Sequence, residues 1–529
     1  MSELSDSMSK SSLLDSYDSI RVFEGFPQNK YLVSFPALSE NEKPLFSFCI
    51  NAIKSNSLDS SASLRPSKDF LDDFSKLLEL FDSKKAVKVF LEPEETDKLK
   101  KLFAELIEKH FPKTSNLKRF ASLVIDESIG FSFLAPLMED KFLEEIMVNG
   151  PEKPVFVFHR RFGLCKTNIV FTELKLNSLI EKIAFTVRRK FSFSNPLLDA
   201  RLPDGSRINA TNSFVTPFGS SLTIRKFSPL PLSIINLIEN KTFSSELAAF
   251  LWLMVEGMDV EPMNIIISGG SGTGKTTTLN VLCSFIRFRE RIVSIEDTLE
   301  LHLGKRENWV QMESKNLTEE NKEISMNDLL KNSLRMRPDR ILLGEVRGPE
   351  AQTLFTAMDT GHKGCLGTLH SNSSHELLLR LKSYPMNVPE SMIPLLDLII
   401  MQSKFYFKGT GIIRKVTYLT EVTSMDGKPL LANIFEWDKT EDKIKRTKVP
   451  SHTLDVLSER LCKTKKEILQ EMGVRKRILD WMQEHRITSN SEVEALIQSY
   501  YFDPESILEQ VVENKKPDLK QIIFGPAGL

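Results

Sequence analysis

Residues 269–277, GGSGTGKTT, constrain this chain more than any other stretch. Gly269, Gly274, Lys275 and Thr276 meet the spacing G-x-x-x-x-G-K-[ST]. The apolar run NIIIS just before them reads as a strand, and KTTTLNVLCSFI just after them as a helix, so the motif stands in the context it requires. Its glycines let backbone N–H groups curl around a polyphosphate with no Cβ in the way, and the helix turns its positive N-terminus toward that charge. Gly269, Gly270, Ser271, Gly272, Thr273, Gly274, Lys275, Thr276 and Thr277 are therefore the expected nucleotide-binding set, with ATP and Mg2+ as its ligands. Lys275 would reach the β- and γ-phosphates, and Thr276 would ligate the metal.

Beyond Ser233 strand-like and helix-like runs alternate: NIIIS, the loop and its helix, RIVSIED, NDLLKNSLRM, RILLGE, PEAQTLFTAM and GCLGTLH. This order predicts an α/β unit with a mainly parallel sheet covered by helices. RILLGE puts Glu345 at a strand end, in the crevice where ligands of parallel sheets bind, with Gly344 where P-loop proteins often carry Asp. RIVSIEDTLELHL clusters Glu296, Asp297 and Glu300 after another strand; such acids can place a metal and an attacking water, or simply favour a helix start. His362 in TGHKG and His370 in GTLHSN are expected near the same crevice.

The flanks are less specific. Residues 1–17 are rich in Ser, Asp and Lys and are expected to be disordered. Residues 18–115 read as a small α/β subdomain, and 116–231 as a second α+β subdomain ending in the linker SPLPLS. Within it, PVFVFHR has apolar residues at Val155, Phe156, Val157 and Phe158 and reads as a strand buried on both sides. Residues 232–430 form the expected ATPase core, and 431–529 a C-terminal hairpin and helical region. With 70 Lys+Arg against 71 Asp+Glu the chain lacks a global basic field, so nucleic acid is not an expected partner. Cys49, Cys165, Cys283, Cys365 and Cys462 are scattered singly, which points to buried thiols in a reducing compartment and away from zinc or disulfides. No run approaches the ~20 apolar residues of a membrane span, and the first residues lack a signal-peptide core; the expectation is a soluble or peripheral protein.

Taken in order, GGSGTGKTTTL, SIEDTLEL, RMRPDRILLGEVRG and TGHKGCLGTLHSN resemble the Walker A, Asp box, Walker B and His box of type II/IV secretion and type IV pilus ATPases. PVFVFHRRFG, PLLDARLPDGSRINAT and LTIRKF resemble the N-terminal domain of the archaeal branch; PMNVPESMIPLLDLIIMQ and GIIRKVTYLTEV resemble its C-terminal part. The resemblance spans roughly residues 120 to 525, and the archaellum motor ATPase is the nearest pattern, with adhesive-pilus ATPases beside it. It implies a RecA-like ATPase domain joined to a flexible N-terminal domain, assembled as a homo-hexamer. The ring would sit in the cytoplasm, peripheral at the inner face of the membrane, docked on a polytopic platform protein with accessory archaellum or pilus proteins. The resemblance further implies that Glu300 is the catalytic base, that Glu345 is the Walker B carboxylate and shares the metal with Thr276, and that His370 lies near the γ-phosphate. Arg201, Arg207 and Arg225 stand where the family places arginines that reach the nucleotide, and Glu296 stays a candidate acid. Two other readings share the same core: a nucleic-acid translocase and a scaffold that binds nucleotide without turnover.

Overall fold

The computed structural model describes residues 12–35, 38–55, 66–79, 93–112, 114, 116–227, 231–315, 323–407, 411–425 and 427–517. The chain divides into two units, Met1–Pro229 and Leu230–Leu529.

In the first unit one nine-stranded sheet has the order β1-β2-β3-β6-β5-β4-β9-β8-β7. Its strands are β1 (Leu13–Tyr17), β2 (Ile20–Phe23), β3 (Asn29–Val33), β4 (Leu143–Val148), β5 (Pro154–His159), β6 (Gly163–Val170), β7 (Leu197–Arg201), β8 (Arg207–Thr211) and β9 (Ser221–Arg225). β3 pairs with β6 in parallel, so the sheet runs across the expected boundary at residue 115. Four helices from the sequence before β4, Glu42–Ser55, Lys68–Leu78, Pro93–His110 and Leu117–Ser128, gather around a separate core that includes Phe48, Phe70, Phe74, Phe103 and Phe120.

Two expectations are corrected here. Residues 13–17 are a strand, not a disordered start: β1 pairs with β2, and Tyr17 donates its hydroxyl to Asp140 Oδ2 at 2.8 Å. The weak apolar signal of LLDSY is offset by hairpin pairing and by polar anchors, this one and the bond from Arg161 Nη1 to Asp15 Oδ2 at 3.2 Å; residues 1–11 lie outside the described residues. β5 is dry on one side only, since Val155 and Val157 are buried while Phe156 and Phe158 are half-buried. Large aromatic rings cover a partly wet face as readily as they fill a core, so the run of four apolar residues overstated the burial.

The second unit carries another nine-stranded sheet, ordered β12-β11-β13-β14-β10-β15-β16-β17-β18. The strands are β10 (Ile265–Gly269), β11 (Ile292–Glu296), β12 (Trp309–Glu313), β13 (Arg340–Val346), β14 (Leu366–Leu369), β15 (Leu398–Phe407), β16 (Gly411–Met425), β17 (Lys428–Asp438) and β18 (Lys443–Arg446). Pairing is parallel from β12 through β15 and antiparallel from β15 to β18. β10 sits between two neighbours and under helices on each side: Ile265 and Ile267 join one core cluster and Ile266 the other. That two-sided burial is why its sequence is an unbroken apolar run.

The C-terminal helices His452–Arg460, Lys465–Glu484, Asn490–Phe502 and Pro504–Val512 belong to this unit's core, where Ile468, Ile478, Leu496 and Ile507 pack in one cluster with Ile265 and Leu282. The expected boundary at residue 430 falls inside β17, and the C-terminal region is a continuation of the core, not a separate part. Helix Ser245–Glu256 joins the same core with Leu247 through Glu256 all buried, and its run Leu247–Val255 is apolar all round, as a helix enclosed on every side must be. At its end Glu256, 1% exposed, accepts Arg287 Nη2 at 2.6 Å and Arg475 Nη2 at 2.9 Å. Trp252 stacks on Phe285 beside it, ring centres 5.5 Å apart. Four of the five cysteines are buried, as expected, and Cys462 is exposed.

Candidate nucleotide site

The site lies in the second unit, at the C-terminal ends of β10, β11, β13 and β14. β10 ends at Gly269, the loop follows, and helix Lys275–Leu282 leaves with Gly274 as its N-cap at φ 96°. Gly272 (φ 71°) and Gly274 hold left-handed backbone conformations that a side chain would strain. Gly269 is required for another reason: a Cβ there would stand 2.2 Å from the carbonyl oxygen of Gln402 on β15. The loop is tied internally. Thr273 Oγ1 donates to Gly270 O at 2.9 Å, and Lys275 Nζ donates to Gly269 O at 3.0 Å and Gly270 O at 3.1 Å. Ser271 is exposed, and Gly270, Thr276 and Thr277 are half-buried, the two threonines in the first turn of the helix.

Glu345 sits near the end of β13, two strands from β10. Burial alone would push its carboxyl up, but the bond from Arg347 Nη2 at 2.6 Å, that guanidinium's charge and the charge of Lys275 hold it below the usual range. Arg347 also reaches Asp297 Oδ2 through Nη1 at 3.1 Å and so ties the ends of β11 and β13 together. His370 follows β14 and is held below its ordinary value by partial burial and then by the charge of Lys275, with Glu345 opposing. Lys275, Glu345 and His370 thus stand at the same edge of the sheet, near enough for their charges to act on one another.

Glu296 closes β11 and is 1% exposed. Its Oε2 accepts the backbone N–H of Glu300 at 2.7 Å and of Leu301 at 3.0 Å. The carboxylate therefore fixes the turn that presents the half-buried Glu300. Gly344 makes room for it, since a Cβ at 344 would come within 3.0 Å of Glu296 Cγ. The position where many P-loop proteins carry Asp is thus filled from the neighbouring strand. His362 is a correction: it precedes β14, which runs parallel to β10, so it lies at the end of the sheet away from the loop. There it lines a cleft with Asp259, Arg289, Asp339 and Lys363. Spacing from a strand in sequence could not tell which end of that strand His362 would occupy.

In the first unit Arg201, Arg207 and Arg225 form a row. Arg207 is the cross-strand partner of both Arg201 on β7 and Arg225 on β9. Sequence reading missed Gln402, Lys404 and Arg414 at the glycine loop: Arg414 Nε on β16 donates to Gly272 O at 2.9 Å. Only the strand pairing reveals them, because they lie far downstream of the motif.

For Mg2+ the fitting donors are hard oxygens, the Thr276 hydroxyl and the Glu345 carboxylate, the latter kept ionised by its cationic neighbours. Among the described residues no group of three or more His, Cys, Asp or Glu could hold a metal alone.

A sheet that is parallel from β12 through β15, with a glycine-rich loop between β10 and its helix, defines the class, an α/β protein. The chain belongs to the type II/IV secretion system protein family, whose model matches residues 127–404. It is 48% identical over 258 residues to "Uncharacterized protein MJ0781" of Methanocaldococcus jannaschii, a match covering 48% of this chain and 35% of that protein. It is 35% identical over 394 residues to "Uncharacterized protein MJ0900" of the same organism, covering 72% of this chain and 70% of that protein. The chain thus spans about a third of the first of these relatives and about two-thirds of the second. The solved structure of the VirB11 ATPase from the Brucella suis type IV secretion system is similar at 27% identity and a TM-score of 0.27, over 54% of this chain and 92% of that one.

Proposed function

We propose that this chain is an ATP-hydrolysing motor, working as a homo-hexamer at the inner face of a membrane, that drives assembly of an archaeal type IV pilus-like filament. The archaellum is the favoured filament; an adhesive pilus or secretion system is the alternative. The observation that carries the reading is the glycine loop between β10 and its helix, with Lys275, Glu345 and His370 at the same edge of the sheet. Membership of the secretion family and the two Methanocaldococcus relatives support the direction of the rest. No helix among the described residues is long and apolar enough to cross a membrane. In this reading the motor docks on a membrane partner, a polytopic platform protein.

In this mechanism the loop N–H groups and Lys275 bind the β- and γ-phosphates of ATP. Mg2+, held by Thr276 and Glu345, would offset charge on the transferring phosphoryl group. Glu300, placed by Glu296, orients and deprotonates the attacking water, and His370 would contact the γ-phosphate. Arg201, Arg207 and Arg225 would add guanidinium contacts to the phosphates. A near-zero net charge weighs against the translocase reading. The test is mass and turnover together: the purified protein should assemble to six copies with a non-hydrolysable ATP analogue, and its phosphate release should rise with membranes bearing the platform protein. A monomer in every nucleotide state, with turnover indifferent to those membranes, would reject the motor.

A further inference from the structure

The hairpin β15–β16 brings a second set of charges to the glycine loop. β15 lies beside β10 with Gln402 opposite Gly269, and it turns back into β16 so that Lys404 stands directly opposite Arg414. Side chains two apart on a strand share a face, as do directly opposed residues of an antiparallel pair, so Gln402, Lys404 and Arg414 point the same way. That way is toward the loop. Arg414 Nε donates to Gly272 O at 2.9 Å. A Cβ on Gly272 would stand 3.3 Å from Lys404 Nζ, and one on Gly274 would stand 3.5 Å from Arg414 Cδ and 3.9 Å from Gln402 Nε2. Gln402 is 2% exposed and donates to Thr278 Oγ1 at 2.9 Å, while its Oε1 is buried with no hydrogen-bond partner among the described residues.

The Lys–Arg rung thus sets two cations side by side at the edge of the glycine loop. We propose that Lys404 and Arg414 form a cation clamp for the polyphosphate of a nucleoside di- or triphosphate, with Arg414 exchanging Gly272 O for a phosphate oxygen when the nucleotide enters. The proposal rests on the P-loop reading and adds a second wall to that site. Arg suits the clamp as a planar, multiply donating group, and Lys as a compact charge on a flexible stem. Gln402 backs the pair by fixing the first turns of the helix against β15 through Thr278.

Full-length wild type, Lys404→Gln, Arg414→Gln, the double variant and Lys275→Ala would be compared by equilibrium binding of a fluorescent ADP analogue across a salt series. Lys404→Gln is the deciding variant, because it leaves the Arg414–Gly272 bond in place and removes charge only. The clamp predicts an affinity loss of about fivefold or more for Lys404→Gln at low salt, shrinking as salt screens it. It predicts about tenfold or more for Arg414→Gln, the scale of a charge-assisted hydrogen bond. It also predicts a shallower salt dependence in the double variant. If Lys404→Gln binds as wild type at every salt while Lys275→Ala loses binding, the clamp is wrong and the P-loop reading stands. Loss confined to Arg414→Gln, with a lowered unfolding midpoint, would make Arg414 a strut for the loop and also overturn the clamp. If wild type itself binds no ADP, the P-loop reading fails and takes the clamp with it.

Discussion

Gly344→Ala tests how the acids of the site are arranged. The added Cβ would lie 3.0 Å from Glu296 Cγ and 3.3 Å from its Cβ, where ordinary carbon contacts sit at about 3.5–4.0 Å. Glu296 must yield by several tenths of an ångström. It is buried and tied to Glu300 N at 2.7 Å and Leu301 N at 3.0 Å, so the shift passes to the turn that carries Glu300. Overpacking of this kind costs about 1–3 kcal/mol. If roughly half of that appears as misplacement of Glu300, phosphate release falls about fivefold, since each 1.4 kcal/mol is about tenfold in rate. The glycine loop, on β10, is not touched, so affinity for nucleotide should stay within about twofold. The assay pairs phosphate release and fluorescent-nucleotide binding with urea unfolding. Wild-type turnover in a variant destabilised by the expected amount would refute the coupling of Glu296 to Glu300, and so would a loss that appears in affinity alone.

Glu256→Gln should destabilise the second unit by about 3–5 kcal/mol, because it leaves Arg287 and Arg475 beside a neutral amide in a buried place; a urea midpoint close to wild type would contradict that. Burial pushes His159 down to about 4, from an ordinary value near 6.5. The unfolded chain then takes the proton first, so this contribution is whole above about pH 6.5 and is lost as pH falls toward 4, up to about 3 kcal/mol. His159→Gln should flatten the pH dependence of hydrogen exchange at β5 amides across that window, and an unchanged slope would count against it. Arg225→Ala should lower turnover far more than nucleotide affinity if the arginine acts in the transition state, which paired kcat and Kd measurements decide.

Where sequence and structure agree, a local pattern decides the outcome. The strand NIIIS, its glycines and its helix are specified within a dozen or so residues, and β11, β13 and β14 are apolar runs ending in the residues that matter. β12 was missed because WVQME is a half-buried edge strand with no alternation to read. The C-terminal helices look amphipathic enough to stand apart, yet they share a core with the helix Ser245–Glu256, a pairing across more than two hundred residues that no window contains. A separation of 142 residues likewise hid the contact of Arg414 with Gly272. Gly344 was legible as a departure from the usual acid but not as the space for Glu296, because that needs the register of β11 against β13.

The most direct measurement is phosphate release from Mg·ATP by the full-length protein beside Lys275→Ala and Glu345→Gln. The account predicts turnover in the wild type that disappears in both variants, with Glu345→Gln still binding nucleotide. Turnover that survives in both would place hydrolysis elsewhere, and binding without turnover in the wild type, even with platform membranes present, would make the protein a nucleotide-binding scaffold.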